Sequence, residues 1–266
     1  MKLEITGAIN ARDIGGIVTP LGTIKRNKLL RSAELSRLTG RDVEVLTSLG
    51  LSRVVDLRTA TEQANSPDVK ISGVEYIDVP IIQSTTFGIT YEKSDGAEIA
   101  VMLQRGIERM KARGESCTEH LAILYRKFVN DEFCRSGYGR FLKTLSEPTQ
   151  GATLWHCTIG KDRCGTCAAL LLYCLGASKE QIFADYMLTN EQTQDHKNMI
   201  LDKVRDYVSA DDLELISILR SVTEQYLADF FHEIETKFGT VENFLQACGV
   251  TEQDVYNLRQ NYLETA

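Results

Sequence analysis

The chain is poor in the residues that make long linkers and membrane spans. It has four prolines in 266 residues and no Gly/Ser tract, which argues against disorder and extended linkers. No stretch approaches the roughly 18–20 consecutive apolar residues that a membrane helix needs; the longest apolar run, 168–175, is far too short. The first sixteen residues lack the apolar core of a signal peptide. Basic charge is in deficit: 30 Lys and Arg against 37 Asp and Glu give a formal net charge of −7. An acidic chain is a poor prior for nucleic-acid binding, so any anion site must be local. The seven cysteines are an odd number. Four of them (Cys157, Cys164, Cys167 and Cys174) crowd into 157–174, unlike a secreted disulfide framework. A reducing, cytoplasmic setting is expected.

What is present is an ordinary globular composition, 43% hydrophobic and 25% charged, long enough to bury a full core. There is no internal repeat and no low-complexity segment. Ile14, Gly15, Gly16, Pro20 and Gly22 mark a small hairpin within 14–31. A helix is predicted over 39–49, with Val43, Leu46 and Leu49 on one face and Gly50 as its stop. Short buried strands are predicted at 52–57, 74–79 and 153–157. Helical stretches lie between them, the pattern of an α/β domain with a largely parallel sheet. Residues 83–150 read as a mostly helical insertion, with helical spacing over 97–112 and 118–129; a cover over the site and a plain helical layer are both open readings. The stretch 165–175 is apolar all round, hence a buried helix. Ser178 with Gln181 forms a capping box for a helix over 178–188, and Thr240 and Thr251 read as N-caps of two terminal helices.

The chemistry concentrates in Trp155-His156-Cys157-Thr158-Ile159-Gly160-Lys161-Asp162-Arg163-Cys164-Gly165. A strand ends at the cysteine and a buried helix begins near the arginine. Such a loop can aim several backbone N–H groups at one point, helped by the helix dipole, and so cradle an anion (Thr158, Ile159, Gly160 and Lys161). Cys157 at its floor would have its thiol pKa depressed and act as a nucleophile. Arg163 can fork onto two phosphate oxygens. His156 would orient the loop, Gly160 permits backbone conformations closed to other residues, and Lys161 would add positive charge at the rim. Asp162 is placed to protonate a leaving alkoxide. Asp56 and Arg58, at the end of the strand 52–57, either support the site or simply pair with each other. Two plainer readings compete. Cys-x5-Arg alone occurs by chance. A zinc site could use His156, Cys157, Cys164 and Cys167, although cysteine in an apolar helix is commonly a small core residue. Cys117, Cys134 and Cys248 read as structural.

The loop resembles the signature of the tyrosine-phosphatase superfamily, and most closely the bacterial and fungal tyrosine/serine phosphatases whose loop reads HCxxGKDRTG. The resemblance extends over nearly the whole chain. Asn10-Ala11-Arg12-Asp13-Ile14-Gly15-Gly16 is similar to NxRDxGG. Leu30-Arg31-Ser32-Ala33 with Leu35-Ser36, and Val55-Asp56-Leu57-Arg58-Thr59 with Glu62, match further family segments. So do Ala184-Asp185-Tyr186 with Asn190 and Glu191, and 238–245. The resemblance implies a central, mainly parallel sheet flanked by helices, forming a single phosphatase domain over 1–266 in which 83–150 is a helical insertion or lid. It implies a two-step reaction through a phosphocysteine, without metal or other cofactor, with Asp162 as acid inside the loop. Expected substrates are phosphorylated protein (phosphotyrosine, with phosphoserine or phosphothreonine) or phosphoinositides. Arg12 and Asp13 would tie down the N-terminal segment, and Asp185 with Tyr186 would pack and hydrogen-bond.

One departure stands out: Cys164 replaces the family's Thr or Ser after the arginine. A thiol is a weaker donor than a hydroxyl, so slow phosphoenzyme breakdown is expected. Trapping of oxidised Cys157 as a disulfide, or mere packing, are the other readings of Cys164. Rival functions are a phospho-binding module that does not turn over, and thiol chemistry on a non-phosphate anion. The presence of Cys157, Asp162 and Arg163 argues against the first, the Cys164 departure keeps it open, and the flanking motifs argue against the second.

Overall fold

The computed structural model describes residues 1–84 and 96–264. In chain order its elements are β1 (Arg12–Asp13), β2 (Val18–Thr19), β3 (Gly22–Ile24), β4 (Leu29–Ser32), α1 (Gly40–Ser48), β5 (Leu51–Asp56), α2 (Ala60–Asn65), β6 (Glu75–Asp78), α3 (Gly96–Ala112), α4 (Cys117–Asn130) and α5 (Glu132–Ser146). There follow β7 (Ala152–His156), α6 (Asp162–Cys174), α7 (Lys179–Val204), α8 (Ala210–Leu219), α9 (Glu224–Phe238), α10 (Val241–Ala247), α11 (Glu252–Tyr262) and β8 (Leu263–Glu264). The main sheet has the order β1-β4-β7-β5-β6. Its strands β4, β7, β5 and β6 are parallel, and β1 pairs antiparallel at the edge. This is the α/β architecture with a mainly parallel sheet flanked by helices that the sequence pattern predicts.

Strand period decides which face each side chain meets. Along β7, Leu154 faces one core and Trp155 the other; Val54 and Val55 in β5, and Leu30 and Leu29 in β4, divide the same way. The smaller core holds α1 through Leu46, with Leu3, Leu35 and Ile71. The larger is filled from α4, α5, α6, α9 and α10, where Phe141 meets Trp155 edge-on with centroids 5.5 Å apart. The central strands are buried on both faces, as parallel strands are, so 29–32 and 152–156 carry no outward polar alternation.

Two expectations are corrected, and a third, the mostly helical insertion, is refined. The stretch 14–31 does contain the hairpin β2–β3, but its last residues form β4, a fully buried strand beside β7. The helix expected over 178–188 continues to Val204 as α7. No Gly or Pro interrupts 189–204, and Ile200 and Val204 pack with Ile99, Leu103 and Ile107 of α3 and Ile216 of α8. The insertion 83–150, of which 85–95 lie outside the described residues, is not uniform. Its helices α4 and α5 belong to the larger core, whereas α3 reaches that core only through Met110 and packs Ile99, Leu103 and Ile107 with α7 and α8 in a separate cluster. The capping box at Ser178 and the N-caps at Thr240 and Thr251 occur as expected.

That division has a measurable consequence. Elements outside the main core open at lower free energy. Leu103→Ala, by leaving a cavity in the small cluster, is expected to speed amide exchange in α3 while leaving α5 unchanged. Equal acceleration in both helices would show that the two clusters unfold together.

Candidate active site

The carboxyl ends of β4, β7 and β5 lie side by side and supply the site, the place where ligands of open α/β sheets bind. β7 ends at His156, α6 starts at Asp162, and residues 157–161 curl between them. The curl depends on Gly160, whose φ is +71°; a Cβ there would stand 2.6 Å from the Ser32 carbonyl oxygen. Side chains from distant segments hold the loop's carbonyls. Asn10 Nδ2 donates to Gly160 O at 2.8 Å, and Arg31 Nη2 donates to the same oxygen at 2.9 Å. By contrast, among the described residues none of the N–H groups of 158–163 is engaged within the chain. A ring of unpaired donors at the start of a buried thirteen-residue helix is an anion cradle.

Arg31 is itself anchored. Its Nη1 meets Asp185 Oδ2 at 2.7 Å, and Arg12 Nε meets Asp185 Oδ1 at 2.8 Å, all three residues being buried. Arg12 also donates to the Asn10 carboxamide oxygen, so Asn10 is held while its nitrogen holds the loop. Burial would raise the Asp185 pKa, but the two guanidiniums hold it down at about 2. Asp13 accepts from the backbone of Gly15 and Asn27 and fixes the hairpin.

Cys157 is 3% exposed. Burial resists its ionisation, yet hydrogen bonding from the Cys164 thiol, the nearby Arg163 charge and the Cys164 backbone N–H together pull its pKa down to about 5. The Cys164 thiol has a competing acceptor in the Ser32 carbonyl at 3.7 Å, and one proton serves only one of them at a time. Cys164 itself is driven far up by burial and by the neighbouring sulfur.

Arg163 is set by Glu62 at the start of α2. Its Nη1 and Nη2 meet Glu62 Oε2 and Oε1 at 2.8 and 2.7 Å, a two-point fork. Burial opposes the Glu62 charge, but Arg163 outweighs it and holds the carboxyl at about 2. The Thr158 hydroxyl also donates to Glu62. The Arg163 Nε–H has no acceptor among the described residues. In the sequence Glu62 stands only as the last residue of a family segment, with no task of its own. Thr59 and Glu62 do form a helix capping box, and that ordinary reading hides the carboxylate's second partner.

The other expected residues fall into two groups. His156, Asp56 and Arg58 lie together behind the loop. Arg58 grips Asp56 through Nε and Nη2 and also meets Glu34 and Asp68. His156 Nε2 is 3.1 Å from Asp68 and Nδ1 is 3.9 Å from Asp56. Burial favours the neutral ring, but these two carboxylates win and raise the His156 pKa. Asp56, Asp68 and His156 form the one metal-sized grouping among the described residues, and Arg58 already neutralises it. Asp56 and Arg58 therefore do pair with each other, within a cluster that supports the strand ends. Asp162 is partly open at the start of α6, with Oδ1 accepting from the Tyr125 hydroxyl at 2.8 Å. Lys161 departs from expectation. It is not at the rim but buried, its Nζ donating to Leu219 O at 2.6 Å and lying 3.6 Å from Asp162 Oδ1. The carbonyls at the end of α8 draw the ammonium inward, and burial lowers its pKa.

A buried thiolate inside an N–H cradle, beside an arginine aimed by a carboxylate, is equipped to attack the phosphorus of a bound phosphate ester. The comparisons agree. The pattern of the "Tyrosine phosphatase family" matches residues 3–264, and the chain belongs to that family of cysteine-dependent phosphatases. It is 26% identical over 275 residues to the triple specificity protein phosphatase PtpB of Mycobacterium tuberculosis, covering 96% of this chain and 97% of the relative. It is 26% identical over 242 residues to a tyrosine-protein phosphatase of Nostoc commune, covering 89% of this chain and 74% of that one. A crystal structure of P. aeruginosa TpbA covers 78% of this chain and 94% of its own at 16% identity, with a TM-score of 0.32, too slight a likeness to argue from.

The cysteine environments set an expected labelling profile. Iodoacetamide should label Cys157 with a rate that is half-maximal near pH 5 and flat above about pH 7, because the thiolate is the reactive form. Cys134, Cys174 and Cys248 are pushed up to about 12 by burial and should stay silent at neutral pH. Cys164→Ala should move the Cys157 midpoint upward. A midpoint near that of a free thiol in the parent would contradict the cradle's effect. Peptide mass mapping reads every site at once.

Proposed function

We propose that the chain hydrolyses phosphate monoesters, with phosphotyrosine in proteins as its principal substrate, through a phosphocysteine on Cys157. The observation that carries this reading is a buried thiol pulled down to about 5 in an N–H cradle whose arginine is pre-aimed by Glu62. The cradle N–H groups of Thr158, Ile159, Gly160, Lys161 and Asp162, with Arg163 Nε, bind the phosphate oxygens; the two N–H groups of Nη2 are held by Glu62 Oε1 and Thr158 Oγ1. Glu62 carries the cost of fixing the guanidinium before substrate arrives. Cys157 attacks phosphorus, and Asp162 protonates the departing oxygen. In the second step Asp162 takes a proton from water, which attacks the phosphocysteine and frees phosphate. His156, Asp56 and Arg58 support the strand ends. Lys161 contributes its backbone N–H to the cradle and its ammonium to the end of α8.

A groove of about 410 Å³ adjoins the loop at Thr158 and is lined by Gly7, Glu34, Arg37, Asp195 and His196 among others. Its mixed charge suits a peptide flank better than a polyphosphorylated inositol ring. The name of the M. tuberculosis relative supports a wider substrate range, so phosphoserine, phosphothreonine and phosphoinositides are secondary candidates. We place the enzyme in the cytoplasm, a reading supported by its seven buried thiols; no helix of the described residues is long and apolar enough to cross a membrane.

Hydrolysis of p-nitrophenyl phosphate in the presence of EDTA tests the chemistry. Activity is expected to persist in EDTA and to vanish in Cys157→Ser. Glu62→Gln, which loses the charged half of the fork, should reduce kcat about 10²-fold, the usual scale for a misaligned oxyanion donor. Loss of activity in EDTA, or an active Cys157→Ser, would overturn the mechanism. Because the Cys164 thiol is a weak donor to the leaving thiolate, product release should show a pre-steady-state burst. Cys164→Thr should shrink the burst and raise kcat; a variant turning over no faster than the parent would mean that Cys164 only packs.

A further inference from the structure

From the geometry around Asp162 we infer that Tyr125, in α4, is a positioning residue for the proton-donating step: its hydroxyl pins Asp162 Oδ1 and so reserves Oδ2 for the proton handed to the leaving group. The inference rests on the reading of Asp162 as the acid.

Tyr125 is fully buried, and its O–H donates to Asp162 Oδ1 at 2.8 Å. A phenol has one proton to donate. The short contact between the Tyr125 and Tyr186 hydroxyls must therefore run the other way, from Tyr186 to Tyr125. The chain of donors ends on the carboxyl, Tyr186 to Tyr125 to Asp162. The Lys161 ammonium, 3.6 Å away, also approaches Oδ1. Oδ2 has no hydrogen bond among the described residues. A carboxylic acid whose Oδ1 already accepts a hydrogen bond and faces a cation carries its proton on the other oxygen. After that proton has left, the same two groups stabilise the carboxylate, which is the product of the first step.

The phenol cannot drift. Its ring lies against Phe128, Tyr186 and Tyr226, with centroids 5.5, 6.4 and 5.7 Å away. Tyr186 is placed in turn by Gly165: a Cβ on Gly165 would meet the Tyr186 ring at 2.8 Å. The glycine after the loop thus has a definite use, to let this ring approach α6. The neighbouring Asp185 holds Arg31 and, through it, the loop carbonyl. One turn of α7 therefore fixes the cradle with one side chain and reaches the acid with the next.

The test compares two substrates that differ in their need for a proton. The p-nitrophenolate ion leaves readily without one, whereas the phenolate of phenyl phosphate does not. Tyr125→Phe keeps the ring and its packing. It is expected to lower kcat/KM on phenyl phosphate about 10- to 100-fold, part of the 10²–10⁴ typical of general acid catalysis, and to change p-nitrophenyl phosphate by less than about 3-fold. A purely structural role would lower both equally, and that result, or no change on either substrate, overturns the inference. Tyr186→Phe, which keeps the Tyr125–Asp162 bond but removes its second donor, should give a smaller loss with the same bias. It carries the test should Tyr125→Phe fail to fold, and an unbiased Tyr186→Phe then counts against the inference. Asp162→Asn run in parallel separates the two levels. If Asp162→Asn is biased toward phenyl phosphate and Tyr125→Phe is not, only the positioning role fails. If Asp162→Asn shows no bias, the acid assignment itself is wrong.

Discussion

The site depends on one buried carboxylate shared by two guanidiniums. Asp185 receives Arg12 and Arg31, and Arg31 passes the constraint to the Gly160 carbonyl. Without the carboxylate, two buried cations would face each other unpaired. Breaking a buried pair in this way costs about 3–5 kcal/mol, a large share of a domain's net stability. The arrangement is therefore a poor way to gain stability and a good way to gain position. The N-terminal segment, β4 and α7 are each anchored to the same point, and the loop's carbonyls are turned outward so that its N–H groups face one another.

The same logic recurs at Arg163 and Arg58. In each case a buried cation is neutralised before substrate arrives: Arg163 by Glu62, and Arg58 by Asp56, Asp68 and Glu34. The net charge of −7 is thus compatible with a strongly anion-seeking site. The acidic residues near the loop do not repel phosphate; they hold the groups that attract it. What is left uncompensated is the ring of backbone N–H groups and the Nε–H of Arg163. Into that setting the thiolate of Cys157 fits at low cost.

Much of this was legible from the residues. Strand, Cys-x5-Arg loop and apolar helix locate Cys157 and Arg163, and the parallel sheet follows from short apolar strands separated by helices. The misses share a cause. Lys161 was expected at the rim because a lysine beside a phosphate loop is a natural anion ligand. Its real partner, the carbonyl of Leu219 in α8, lies 58 residues away in sequence, and no local pattern announces it. Glu62 passes for a helix cap, and it is one. Tyr125 sits on a helical stretch whose apolar spacing reads as core packing, and its ring does pack. In both cases a complete structural explanation conceals a second contact. The long reach of α7 is not announced by the capping box that starts it, because its second half packs on α3, in a cluster separate from the sheet.

The claim on which all of this stands is that the phosphoryl group passes through the Cys157 sulfur. Rapid acid quench of the wild-type chain with excess p-nitrophenyl phosphate, followed by peptide mass analysis, reads it directly. The account predicts the added mass of one HPO₃ on the peptide carrying Cys157 within the first turnover, absent from Cys157→Ser. Full turnover with no adduct at any time, or an adduct on another residue, would contradict it.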